Sequence, residues 1–74
     1  MAYNYSKLNG RIVEIFKTRK SFATAMGLTE SGLSNRLTGK TPFTQSEIVK
    51  AVDLLSIKST EIMDYFFRLE VQLK

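Results

Sequence analysis

Residues 22–39 read Phe-Ala-Thr-Ala-Met-Gly-Leu-Thr-Glu-Ser-Gly-Leu-Ser-Asn-Arg-Leu-Thr-Gly, and their spacing decides the fold. Ser21 is an N-cap residue type, placed ahead of a short helix over 22–26. Gly27 ends that helix at the point where a left-handed backbone is wanted. Thr29 is a second N-cap type, and a helix follows from Glu30 to Leu37 or Thr38. Leu33 and Leu37 form its i, i+4 apolar pair. Ala23 is small where the two helices cross, and Met26 and Leu28 flank the turn. This pattern predicts a helix-turn-helix over 21–39. The plainer reading of the same residues is an αα-hairpin that only packs a core.

Helical spacing continues on both sides. Leu8, Ile12, Ile15 and Phe16 share one face of a first helix that starts after Ser6 and runs to about Lys17. The basic cluster Lys17, Arg19 and Lys20 ends it, and is also simply a solvated helix end. Downstream, Lys40-Thr41-Pro42 forms a loop. Thr44-Gln45-Ser46-Glu47 then has the form of a capping box, with Thr44 reaching the N3 amide and Glu47 reaching back. Ile48, Ala51, Val52 and Leu55 follow as the apolar face of a fourth helix. Ser59 caps a fifth, containing Ile62, Met63, Phe66 and Phe67. Phe16, Phe22, Phe43, Phe66 and Phe67 are most simply core. The end of the chain has two readings. Leu69, Val71 and Leu73 alternate with polar residues, as in an edge strand. Phe66, Leu69 and Leu73 also fit a helical stripe, supported by Asp64/Arg68 and Glu70/Lys74 at i, i+4. The expected architecture is therefore all-α: a compact five-helix domain over residues 1–68 and a tail over 69–74, strand or helix.

Composition bounds the chemistry. The chain has 74 residues, no cysteine and no histidine. That length is one domain with a thin core, and no disulfide is available to staple it. Zinc fingers, cysteine proteases and Ser-His-Asp hydrolases are excluded, and with no glycine-rich phosphate loop the chain is not read as an enzyme. No cofactor, metal or small-molecule substrate is expected. Eleven Lys and Arg oppose seven Asp and Glu, for a net charge of +4. Residues 1–40 hold seven basic and two acidic groups, while 41–74 hold four and five. The positive field thus surrounds the helix-turn-helix, as suits nucleic acid or an acidic partner. The polar start lacks a signal-peptide apolar stretch, and no run approaches a membrane span, so the cytoplasm is the expected compartment and no membrane partner is expected.

In a helix-turn-helix the second helix offers its N-terminal end and one exposed face to a partner. Here that face is Glu30, Ser31, Ser34, Asn35 and Thr38, opposite Leu33 and Leu37. Asn35 has the groups to pair with adenine, and the serines suit any base. Lys20, Ser21, Lys40, Thr44 and Gln45 lie near the N-terminal ends of the second and fourth helices, where free amides suit phosphates. Arg36 lies on the flank and suits a phosphate better than a base. Two features oppose a strong reader of DNA. The face itself has no Arg, Lys or Gln, and its first turn carries an acid. Such a surface suits a basic protein face, including the DNA-binding face of another helix-turn-helix protein.

The motif over residues 25–40 resembles the Cro/CI-type helix-turn-helix regulators of temperate phages, which have a lambda-repressor-like fold. Residues 4–12, Pro42-Phe43, Gln45-Ser46-Glu47-Ile48 and Asp64-Tyr65-Phe66-Phe67 are similar to small Cro-like proteins of phages from Gram-positive hosts. Within that group the chain looks closest to the antirepressors. The resemblance implies a regulator of the lysis–lysogeny switch that binds the CI-type repressor. It carries reading positions onto Glu30, Ser31, Ser34 and Asn35, and phosphate-side positions onto Lys20, Ser21, Lys40 and Gln45. Glu30 replaces the Gln common in the first turn of such readers. The alternative is a Cro-like repressor that binds operator DNA directly, alone or jointly with the CI-type repressor.

Overall fold

The computed structural model describes residues 3–69. Five α-helices follow one another: α1 Ser6–Phe16, α2 Arg19–Met26, α3 Glu30–Leu37, α4 Gln45–Leu54 and α5 Ile62–Phe66, the last entered through one 3-10 turn, Ser59–Glu61. The all-α reading stands. No helix among the described residues is long and apolar enough to cross a membrane.

α2 is the hub, packing against α1, α3 and α4, while α5 closes on α1. The core follows from the apolar periodicity. Leu8 and Ile12 of α1, Phe22, Ala23 and Met26 of α2, Leu33 of α3, Ala51 of α4 and the following Leu55, and Tyr65 and Phe66 of α5 are buried. Phe16 lies edge-on to Phe22 with ring centroids 5.2 Å apart. Phe43 does the same to Phe66 at 5.5 Å. Of the expected core positions, Phe16 and Phe43 are half-buried against the core and two are exposed. Ile15 is 42% exposed and Phe67 is 38% exposed. The helical wheel gives a residue its face, but only a partner element covers it. In the last turn of α1 it is Phe16 that meets α2, and Phe67 lies beyond α5 with its ring against Tyr3 at 5.9 Å.

The second helix begins earlier than Ser21 suggests. Lys17 turns the chain at φ 72°, and Thr18 is the first extended residue after it. Thr18 is therefore the N-cap, accepting the Ser21 amide at 3.1 Å. Ser21 sits inside the helix, and Arg19 and Lys20 open α2 instead of closing α1. Gly27 ends α2 at φ 76°, with its N–H donating to the Ala23 and Thr24 carbonyls. Thr29 caps α3 through the Gly32 amide at 2.9 Å. Ser59 does not cap α5; the extended residue there is Lys58, whose side chain makes no cap bond.

α4 starts with the expected capping box. The Glu47 amide donates to Thr44 Oγ1 at 3.1 Å, and the Thr44 amide donates to Glu47 Oε1 at 3.0 Å. At its other end, Arg11 Nε donates to the Leu55 carbonyl at 3.0 Å, placing a cation on the negative end of the helix dipole. The chain leaves α4 through Ser56 at φ 52°, a conformation that costs an L-residue about 1 kcal/mol. Ser56→Gly is therefore expected to raise the melting temperature by about 4 °C. A lower melting temperature would show that the serine side chain matters more than the dihedral.

After α5, Leu69 pairs with Tyr3 in one antiparallel bridge, and the Asn4 amide donates to the Arg68 carbonyl at 2.6 Å. The chain is thus extended, not helical, at Leu69. Asp64 pairs with Lys7 of α1 at 3.7 Å, not with Arg68. Residues 70–74, where the rest of the tail reading falls, lie outside the described residues.

Candidate functional site

The turn between α2 and α3 positions the candidate face. Gly27 reverses the chain, Thr29 fixes the first turn of α3, and Leu33 buries the opposite side of that helix. Glu30 and Ser31 are consequently exposed, and Ser34 and Asn35 are half-buried. These four residues border one open polar depression, so the structure does bring them together. Thr38 borders an adjacent depression with Tyr5, Ser6, Asn9 and Leu37. Its hydroxyl donates back to the Ser34 carbonyl at 2.9 Å, which leaves its oxygen as an acceptor.

Arg19 belongs to both depressions. Its Nε donates to Asn9 Oδ1 at 2.9 Å, so α1 holds it beside α3. The depression beside α3 therefore also holds an arginine, supplied by α2, although the α3 face itself carries none. The signal lay in Thr18. With Thr18 as N-cap, Arg19 becomes the first residue of α2 and turns toward α3.

The flanking residues are differently placed. Lys20 and Ser21 are exposed in the first turn of α2, Lys40 is exposed after α3, and Gln45 is exposed at the start of α4. None of the four borders the depression that holds Glu30. The helix ends are also less open to anions than expected. Thr18 already takes one amide of α2, and Thr44 takes one of α4. Glu47 further sets a carboxylate at the α4 N-terminus.

Arg36, expected on the flank, is engaged within the fold. Nε and Nη2 donate to the two carboxylate oxygens of Glu47 at 2.8 and 3.0 Å, and Nη1 donates to the Gly32 carbonyl at 2.8 Å. Both side chains are mostly covered, 16% and 17% exposed. The guanidinium fork matches a carboxylate bidentately, so the pair ties α3 to α4. Arg36 lowers the Glu47 carboxyl below its ordinary value, chiefly through these hydrogen bonds, against the opposing effect of burial.

A third concavity lies on the far side of Tyr5 from the Thr38 depression. Tyr3, Tyr5, Phe43, Ile48, Phe66 and Phe67 line much of an apolar cavity of about 200 Å³. That is below the roughly 300 Å³ at which small-molecule sites begin. Burial, and then the neighbouring Tyr3, raise the Tyr5 hydroxyl above its ordinary value. Among the described residues no cluster of His, Cys, Asp or Glu is placed to hold a metal ion.

Fold and face together define a small all-α domain whose exposed feature is the N-terminal half of a helix set on a tight turn. The chain belongs to the family described as Protein of unknown function (DUF739), whose model matches residues 1–69. It is similar to the modulator of repression (MOR) of the temperate bacteriophage TP901-1 from Lactococcus lactis, known from a solution structure. The two are 42% identical over 97% of each chain, with a TM-score of 0.79. No curated protein matches the chain. The phage kinship read from the motifs over residues 4–12, 25–40 and 64–67 is borne out.

Proposed function

We propose that this protein regulates a phage lysis–lysogeny switch as an antirepressor, binding the CI-type repressor through the helix-turn-helix formed by α2 and α3. The observation that carries the reading is Glu30, an exposed carboxylate in the first turn of α3 with no ion pair among the described residues. DNA-binding surfaces are basic because they must neutralise phosphates. A carboxylate at the tip of α3 is attracted to such a surface and repelled by the phosphates themselves. The likeness to a phage modulator of repression supports the same assignment.

Glu30, Ser31, Ser34, Asn35 and Thr38 form the contact, with Lys20, Ser21, Lys40 and Gln45 around it. Docking there covers the repressor's groups that otherwise meet operator DNA, so the two ligands compete. The protein acts where repressor and operator meet, in the host cytoplasm.

The test is a titration of the CI-type repressor's DNA-binding domain in a calorimeter, with a parallel gel shift on operator DNA. The wild-type chain is expected to bind the domain and to release or remodel its operator complex. Glu30→Lys is expected to weaken binding about tenfold or more, equivalent to about 1.4 kcal/mol. Unchanged affinity for Glu30→Lys would defeat this assignment. Tight, salt-sensitive binding of the free chain to operator DNA, without repressor binding, would favour direct Cro-like action instead.

A further inference from the structure

The depression beside α3 holds two charges of opposite sign, one from α2 and one from α3, that the fold leaves unpaired. Glu30 and Arg19 border the same depression. The ion pairs among the described residues are Lys7 with Asp64, Arg11 with Glu14 and Arg36 with Glu47, so neither takes part in one. Arg19 is nevertheless anchored. Asn9 Oδ1 accepts from its Nε, and among the described residues both Nη groups lack a hydrogen-bond partner. They offer four N–H donors in a planar fork, the shape that grips a carboxylate at two points.

We propose that Arg19 and Glu30 form a two-point charge signature, read by a protein surface that sets a carboxylate against Arg19 and a cation against Glu30. This rests on the antirepressor reading, since it uses the same face, and adds to it Arg19 and the acid on the partner. Charge complementarity selects the occupant. A phosphate backbone, uniformly negative, gains at Arg19 and loses at Glu30. A uniformly basic surface gains at Glu30 and loses at Arg19. Only a surface with both signs, correctly spaced, satisfies both, and protein interfaces achieve specificity in this way. The Asn9 bond restricts Arg19 before the partner arrives, so less side-chain freedom is lost on docking.

Calorimetry with the purified DNA-binding domain of the CI-type repressor tests this. Arg19→Ala is expected to weaken binding about tenfold, and Asn9→Ala about threefold by releasing the guanidinium. The decisive variant is the swap Arg19→Glu with Glu30→Arg. It keeps the net charge at +4, and both side chains are exposed, so wild-type melting behaviour is expected. A positioned pair predicts that the swap weakens binding about a hundredfold, whereas a net-charge effect predicts no change. Wild-type affinity in the swap, or in Arg19→Ala, overturns the signature while leaving the antirepressor reading intact. Loss of duplex-DNA binding in Arg19→Ala with repressor binding unaltered assigns Arg19 to nucleic acid and also overturns it. Failure of the wild-type chain to bind the domain overturns both.

Discussion

Phe22→Ala is expected to cost about 3–5 kcal/mol of stability. Phe22 is fully buried in α2, the helix that packs against α1, α3 and α4. Its ring also meets Phe16 edge-on at 5.2 Å. Removing it loses the transfer energy of the ring and opens a cavity between elements that cannot all close inward at once. A domain of 74 residues has roughly 4–11 kcal/mol of total stability at the usual per-residue range. The substitution therefore consumes much or all of the margin. A melting temperature lower by at least about 12 °C, or a chain unfolded at room temperature, is the expected calorimetric result. Phe22→Leu, which conserves most of the volume, is expected to cost less than about 1.5 kcal/mol. If the alanine variant melted within a few degrees of wild type, α2 would not be the hub described above.

Glu47→Gln is expected to cost about 1.5–3 kcal/mol near neutral pH, the range for hydrogen bonds to charged groups. The glutamine keeps the size of the side chain and can still accept from the Thr44 amide. It cannot receive the Arg36 fork at both oxygens, and it leaves a mostly covered guanidinium without its counter-charge. The pH dependence has a definite sign. The folded-state carboxyl titrates below its ordinary value of 4.5. The stabilisation is thus fully present above 4.5 and is lost as pH falls through the lower, folded-state value. Urea melts should show wild type and Glu47→Gln separated near neutrality and converging in acid. A gap that stayed constant into acid would mean that the charge on Glu47 is not what joins α3 to α4.

These two sites show different degrees of legibility in the amino-acid sequence. Phe22 is read as core because a short chain has few large apolar residues to build one from, and the capping box of Thr44 and Glu47 is read from a four-residue spacing. Neither depends on a distant partner. The Arg36–Glu47 pair is not legible, because the partner lies eleven positions away in another helix. On the α3 wheel Arg36 falls on the flank, which is where a phosphate contact would also fall. Arg19 was missed for a related reason. Ser21 alone is read as the cap, whereas the cap is Thr18, which moves Arg19 from the end of α1 to the start of α2, beside α3.

Short-range chemistry along the chain specifies the set of local conformations. The turn at Gly27, the caps at Thr29 and Thr44, and the apolar spacing of Leu8, Ile12, Leu33, Ala51 and Leu55 specify an all-α chain with α3 set on a tight turn. Its acid at Glu30 and its polar face are equally plain from residues 30–38. Those features depend on bonds and periodicities within a few residues. Tertiary structure alone decided how far each apolar face is covered, leaving Ile15 and Phe67 partly exposed. It also committed Arg36 to Glu47, and it brought Arg19, held by Asn9, beside Glu30. These outcomes depend on which helices meet and where each one stops. A long, flexible, charged side chain finds its partner only after packing has placed the elements around it.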